Sequence, residues 1–531
     1  MTKGYLALVL HAHLPYVRHP EHEDHLEERW LFEAMTETYI PLLRIFDGFL
    51  KDGVGFKVTM SLTPPLANML GDEFLQHRYL RHLDSLIELS GREIDRTTRE
   101  TPEFKPLAEM YREIFISTRQ FYWDRYGGNL LQAFRDIQAT DNLEIITCAA
   151  THGFLPLMQH QPAAIRGQIE TAAIDYERVF GRDPKGIWLP ECGYFEGLDD
   201  YLAEAGLRYF LVDSHGINFA EPRPMAGVYA PIFCPSGVAA FARDVESSKQ
   251  VWSSEEGYPG DVDYREFYRD VGFDLPLEYV GKYIHRDGIR VNTGMKYFRI
   301  TQKSDLHRRE IYNRRNALEK AAQHAANFMF NREKQVEWIE GGIGRKPIIV
   351  APYDAELFGH WWFEGPDWIN YLVRKVAYDQ GVFELTTPRH YLEQYPEQQV
   401  AVPAASSWGD KGYYEVWLNG SNDWIYPHLH KAADRMMELA DLPSRKDPLV
   451  ERAVKQAMRE LLLAQSSDWA FIMTTKTAVE YAVQRTYAHL ERFNTLYSQI
   501  KAGAIDVAFL SDVEAKDNIF PVIDPDVFSA G

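Results

Sequence analysis

Residues 5–10 form a continuous apolar run, the pattern of a strand buried on both faces as in a parallel sheet. It ends in the polar segment His11-Ala-His13. Residues 26–49 place apolar positions at helical spacing, with Pro41 set to interrupt the helix. Residues 56–62 read as a second strand, stopped by Pro64 and Pro65. Residues 72–137 are helical and charged and hold no run suited to a buried strand, so an inserted helical subdomain is expected there. The alternation then resumes: strand 143–148, helix 162–180, short strand 186–189, helix 198–205 and strand 209–212. Residues 220–300, rich in Gly, Pro and aromatics, are expected to be irregular. A long helix is expected over 305–339, a strand over 347–350, and a last helix–strand unit ending near 395. Beyond 402 the pattern is mostly helical after an aromatic-rich start.

Strands alternating with helices imply parallel strands joined by helical crossovers. Polar residues gather just after the expected strands: His11 and His13, His152, Glu191, Asp213 and Asp354. In a β/α barrel the active site forms at those strand ends. A doubly wound open sheet has a similar rhythm, but no Gly-rich phosphate loop follows any strand. The expected division is a barrel over 1–71 and 138–401, inserted helices over 72–137, and C-terminal helices over 402–531 that contribute to the substrate cleft.

Composition narrows the function. With 57 Lys+Arg against 77 Asp+Glu the formal charge is −20, which argues against nucleic acid and against an anionic membrane surface. Three cysteines in 531 residues make no disulfide framework and point to a reducing compartment, the cytoplasm by default. The first apolar run is too short for a signal peptide, and no stretch approaches membrane-spanning length. Aromatic residues reach 13%, which fits either a large core or a cleft where flat rings stack on sugars.

Four constellations carry possible chemistry. His11 and His13, at i and i+2 on an extended segment with His152 as a possible third member, suit a metal, a sugar contact or a structural pair. Glu191 follows a buried strand and is flanked by Trp188 and Tyr194; it reads as a functional carboxylate or as a helix N-cap. Asp354 emerges from a strand into an aromatic segment with His360, Trp361 and Trp362, and Glu356 is its rival. Two carboxylates at two strand ends are the minimum for glycoside chemistry. Finally, a Gly- and Ser-bearing loop over 406–424 carries Trp408, Tyr413, Tyr414, Trp417 and Trp424.

HAHLP at 11–15, CAATHG at 148–153, WLPECGY at 188–194, APYDAELFGH at 351–360 and SSWG at 406–409, taken in order, resemble glycoside hydrolase family 57, and in detail its 1,4-α-glucan branching enzymes. The match runs from the N-terminus to about residue 470. The resemblance implies a (β/α)7 barrel with a helical insertion and a helical C-terminal domain. It implies a retaining glucanotransferase with Glu191 as nucleophile and Asp354 as general acid/base, forming α-1,6 branches in amylose, amylopectin or glycogen. It implies no metal and no cofactor, so His11 and His13 become substrate contacts, with His152 and Asp213 beside them at the −1 sugar and Trp408 and Trp417 as glucan platforms. Trp361 and Trp362, next to Asp354, and Trp30, Asp468 and Trp469 join the substrate-binding set by type and context. A lid is expected over 247–264, with Tyr258 in its Gly- and Pro-flanked turn shielding the intermediate from water.

The family also contains amylases and 4-α-glucanotransferases, and the product linkage separates these from a branching enzyme. A metal-dependent carbohydrate deacetylase using His11, His13 and His152 is a more distant alternative, and a non-catalytic glucan-binding protein a further one.

Overall fold

The computed structural model describes residues 2–253, 257–301 and 309–529. Among them, seven parallel strands line a barrel: β1 (Gly4–Ala12), β2 (Val58–Leu62), β3 (Leu143–Ile146), β4 (Gly186–Ile187), β5 (Tyr209–Val212), β7 (Ala239–Ala242) and β8 (Ile348–Asp354). Two short strands complete the sheets. β6 (Ile232–Phe233) runs antiparallel to β7, and β9 (Phe383–Leu385) pairs with the start of β1. The central ladder is β3-β2-β1-β8, and a second sheet runs β4-β5-β7-β6. A parallel bridge between Thr147 and Ile187 joins the two on one side. On the other side, Asp244 N–H donates to Val350 O at 2.8 Å and closes β7 against β8. All nine residues of β1 are buried, which is why its sequence is apolar without alternation.

Helix bounds follow local chemistry. Helix Pro162–Phe180 matches its expected range and ends on Gly181 in the left-handed conformation. The expected break near Pro41 is instead a widened turn. Helix Glu28–Ala34 passes through a π segment, Met35–Tyr39, into helix Ile40–Asp52. Pro41 has no N–H for the Glu37 carbonyl, and its ring crowds that carbonyl, so the turn opens. The released carbonyl packs against Gly359, whose φ is +121° and where a Cβ would lie 1.8 Å from Glu37 O. Pro64 and Pro65 end β2 but also start helix Pro64–Gly71.

Helices Glu73–Glu100, Lys105–Arg119 and Leu130–Gln138 fill the insertion. Residues 220–300, expected to be irregular, contain β6, β7 and helix Val245–Trp252. β7 reads AAFA between Pro, Gly and Arg, too small and too short to signal a strand. The long helix spans Arg314–Ile343; its expected start at residue 305 lies outside the described residues. Helices Ile425–Ala440, Pro448–Ala464, Ser467–Thr475, Val479–Ala502 and Val507–Lys516 follow the barrel. They dock on the end of β3: Ser467 N–H donates to His152 O at 3.0 Å and the Thr151 hydroxyl to Leu462 O.

Candidate active site

Parallel strands put their C-terminal ends on one face, and the chemistry gathers there. His11 sits near the end of β1, with Ser61 of β2 opposite it on one side and Asp354 of β8 on the other. His152, Glu191, Asp213 and Arg243 follow β3, β4, β5 and β7. His152 and Glu191 both adopt φ near +60°, as does Cys192 at +51°. Left-handed backbone costs a non-glycine residue about 1–2 kcal/mol, so these turns are held by what surrounds them.

Three imidazoles form a stack. His13 lies 3.8 Å from His152, centroid to centroid, and His11 lies 4.4 Å from the Trp188 ring in near-parallel contact. His11 Nδ1 meets Ser61 Oγ at 2.5 Å, and its Nε2 meets His152 Nε2 at 3.1 Å. His152 Nδ1 meets Ser467 Oγ at 2.8 Å. Burial pushes both His11 and His152 well below the usual imidazole range, so both are neutral. His13 differs. Burial disfavours its charge, but Asp468 at 3.0 Å outweighs that and raises its pKa. Asp468 is held down at about 2 against its own burial, by His13 first. His13 N–H also donates to Glu356 Oε1 at 3.1 Å, and the Tyr39 hydroxyl donates to the same oxygen.

The two carboxylates at the centre sit in unlike surroundings. Glu191 Oε2 accepts the Trp408 indole N–H at 2.8 Å, and Oε1 accepts the Ser467 hydroxyl at 3.2 Å. Burial pushes Glu191 up to about 7, while these two donors oppose the shift. Asp354 is driven well above the carboxylate range by burial, with the charges of Glu356 and Glu191 adding and Arg243 opposing; among the described residues no hydrogen bond holds its ionised form. Burial thus disfavours the ionised form of both carboxyl groups, and at Glu191 two hydrogen-bond donors offset part of that.

Asp213 is buried and ion-paired to Arg243 at 2.7 Å, with His215 Nδ1 at 3.3 Å; it stays ionised, below the usual range. His215 in turn meets Gly412 O at 2.7 Å, tying β5 to the aromatic loop. His360, six residues beyond Asp354, bonds Glu37 at 2.7 Å.

The tryptophans expected to bind substrate are placed unevenly. Trp362, Trp417 and Trp469 expose 2% or less of their surface and offer no ring face to a sugar in this structure. Trp417 stacks on Phe154, Trp362 packs against Trp368, and Trp469 donates its N–H to Leu463 O. Trp408 is half-buried and acts on Glu191 through its N–H. Trp361 is 63% exposed and stacks on Phe267. Trp30 is half-buried, edge-on to Tyr481.

Tyr258 does not face the site. Its ring stacks on His324 and its hydroxyl donates to Asn327, both on the long helix, so it is buried against the outside of the barrel. Residues 254–256 of the expected lid lie outside the described residues. Ser467, Arg243 and Tyr39 contribute to the site without any motif that marks them in the sequence.

The strand ends thus bring together two carboxylates in unlike surroundings beside three histidines. The profile of glycosyl hydrolase family 57 matches residues 7–404, and the chain belongs to that family. The profile of the 1,4-α-glucan branching enzyme C-terminal domain matches residues 428–528. Among solved structures, the α-amylase AmyC of Thermotoga maritima is 48% identical with a TM-score of 0.93, covering 99% of both chains. A family 57 branching enzyme from Pyrococcus horikoshii is 34% identical with a TM-score of 0.89, covering 100% of this chain and 97% of that one. The 1,4-α-glucan branching enzyme of Thermococcus kodakarensis is 35% identical over 98% of this chain and 78% of its own length.

Proposed function

We propose that the protein is a retaining 1,4-α-glucan branching enzyme. Glu191 attacks the anomeric carbon of an α-1,4-linked glucose while Asp354 protonates the departing oxygen, and a covalent glucosyl-enzyme forms. Asp354 then takes the proton from the 6-hydroxyl of an acceptor chain, which attacks the same carbon and releases Glu191. Their surroundings support these roles: two donors meet the Glu191 carboxylate, and burial beside the charges of Glu356 and Glu191 favours the protonated form of Asp354. His11, His13 and His152 line the −1 sugar, with His11 and His152 neutral and held by Ser61, Ser467 and each other, and Asp468 fixes His13. Asp213 acts by orienting Arg243 and the loop through His215.

The observation that carries branching over other glucan chemistry is the C-terminal region. Residues 428–528 match the branching-enzyme domain, and its helix Ser467–Thr475 supplies a donor to Glu191. Amylose incubation followed by debranching and chain-length analysis tests it, with new α-1,6-linked chains expected. The 48% identity to AmyC favours hydrolysis as a second reading; reducing ends without new α-1,6 bonds would establish that one.

His13, His152 and Asp468 bring ligand atoms within 4.8 Å of one another, the one feature that favours a metal-dependent deacetylase. We place it last, because Asp468 already engages the His13 Nε2, and Ser467 and His11 engage His152. The division into barrel, insertion (72–137) and C-terminal helices (402–531) belongs to the same reading. Among the described residues no helix is long and apolar enough to cross a membrane, and all three cysteines are buried thiols. We place the enzyme in the cytoplasm, working on glycogen-like glucan.

A further inference from the structure

Beyond Asp354 the chain folds back on itself. The Trp361 backbone N–H donates to Glu356 O at 3.2 Å, two residues past the end of β8. Trp361 is therefore held close to the strand end that carries Asp354, yet 63% of its surface is open. Phe267 fixes the indole from one side, stacking at 5.9 Å with the planes 19° apart. Phe267 is itself held, because Lys296 Nζ donates to its carbonyl at 2.6 Å. Among the described residues the other ring against Trp361 is His360, edge-on at 6.2 Å, so the second indole face is free.

Beside His360 sits an unused carboxyl. Glu33, on helix Glu28–Ala34, exposes 18% of its side chain, and its carboxyl makes no hydrogen bond among the described residues. His360 Nε2, at 3.9 Å, is beyond bonding reach, and the imidazole is anchored through Nδ1 to Glu37 at 2.7 Å. Burial pushes Glu33 up to about 7, against the pull of His360, so near neutral pH it can donate a hydrogen bond as well as accept one. A flat apolar ring with a few convergent polar groups is the composition of a small-ligand site. A pyranose offers C–H faces to such a ring and hydroxyls to such groups.

We propose that Trp361, Phe267, Glu33 and His360 form the subsite that receives the acceptor glucan, on the Asp354 side of the broken bond. The assignment rests on the branching reading and adds to it where the second chain lies. Position separates this subsite from the −1 sugar. Around the barrel β8 stands between β1 and β7, while β4, which leads into Glu191, lies across the mouth. Glu33 lies on the chain between β1 and β2, Phe267 between β7 and β8, and His360 and Trp361 just past β8. The four therefore flank Asp354, the group that takes the proton from the acceptor 6-hydroxyl.

Amylose serves as donor and acceptor at once. The ratio of new α-1,6 bonds to new reducing ends, followed against amylose concentration with the full-length protein, therefore reports the fate of the intermediate apart from donor cleavage. Trp361→Ala and Glu33→Gln should each raise the amylose concentration at half-maximal ratio by about fivefold or more, the worth of one ring contact or one hydrogen bond. The plateau at high amylose should be that of the wild type. Trp361→Phe keeps a flat ring and should recover most of the shift. If one position does not tolerate its substitution, the other carries the comparison. Variants with unshifted midpoints would overturn the subsite, and so would a lowered plateau at an unshifted midpoint, the mark of lost shielding from water. A wild type that makes no α-1,6 bonds would overturn the branching reading and the subsite with it, whereas a branching wild type with unshifted variants sinks the subsite alone.

Discussion

Trp408 is joined to Glu191 twice: its indole N–H meets Oε2 at 2.8 Å, and its backbone N–H meets the Glu191 carbonyl at 2.9 Å. The aromatic loop therefore holds both the carboxylate and the left-handed backbone that presents it. Trp408→Phe keeps the ring and removes the donor. Loss of a donor favours the protonated acid, so the Glu191 pKa rises and the acidic limb of the pH–rate profile moves upward. kcat on amylose should fall by about tenfold to a hundredfold, the worth of one hydrogen bond to a charged group. An unmoved acidic limb would show that the indole does not tune the nucleophile.

The proposed mechanism gives the two carboxylates separable roles. Glu191→Gln should abolish the covalent intermediate and nearly all turnover. Asp354→Asn should do the same with natural glucan but partly spare donors with good leaving groups, which need little protonation. A retaining enzyme places the two carboxyl groups about 5–5.5 Å apart, and a crystal structure with a bound oligosaccharide checks that spacing. A gap near 9 Å, with water between, would mean inversion.

Burying Glu191 makes it a stability liability with a definite pH sign. Its carboxyl titrates near 4.5 when unfolded and near 7 when folded, so folding takes up a proton between those values. Its contribution therefore worsens as pH rises across that window and is constant above it. Glu191→Gln should raise Tm at pH 8 by an amount worth on the order of 1–3 kcal/mol and much less at pH 4.5. Thermal melts at the two pH values measure this. Equal shifts at both would refute a raised pKa in the free enzyme.

Tyr258 is buried against the long helix, so the shield first expected of it is sought elsewhere, and the exposed Trp252 is the candidate to test. Tyr258→Ala should cost stability, about 2–4 kcal/mol for a buried ring, and leave the ratio of α-1,6 bonds to reducing ends unchanged. Trp252 is 52% exposed at the end of its helix, and Trp252→Ala should move that ratio toward hydrolysis while donor cleavage persists. If neither variant moves the ratio, the shield lies in the aromatic loop.

Metal removal should change nothing. Dialysis against a chelator is expected to leave amylose turnover intact, and metal analysis to find no stoichiometric zinc. Activity lost on chelation and restored by zinc would bring the His13, His152 and Asp468 cluster forward as a metal centre.

Strands whose both faces are buried announce themselves, and β1, β2, β5 and β8 stand out in the sequence for that reason. Their ends point to His11, Asp213 and Asp354, while Glu191 follows the short β4 and is marked by its Trp188 and Tyr194 flanks. β7 does not stand out, because alanines fit where helices and strands crowd together and carry little apolar signal. Arg243, one residue past it, was hidden with it. Tryptophans misled in the other direction. Composition tells that a ring is present but not whether another ring covers it, as Phe154 covers Trp417. Ser467 carries no signature at all; its role exists only because the C-terminal helices fold back onto β3.

That return has a consequence for the newborn protein. Asp468 follows its partner His13 by 455 residues, and Ser467 completes the cradle around Glu191 from the same late helix. While the ribosome is still extending the chain, the barrel strands can assemble, but the histidine stack and the nucleophile lack their anchors. The late helix is thus the last piece to reach the site, and the cradle around Glu191 and the anchor of His13 form only once it has docked on β3.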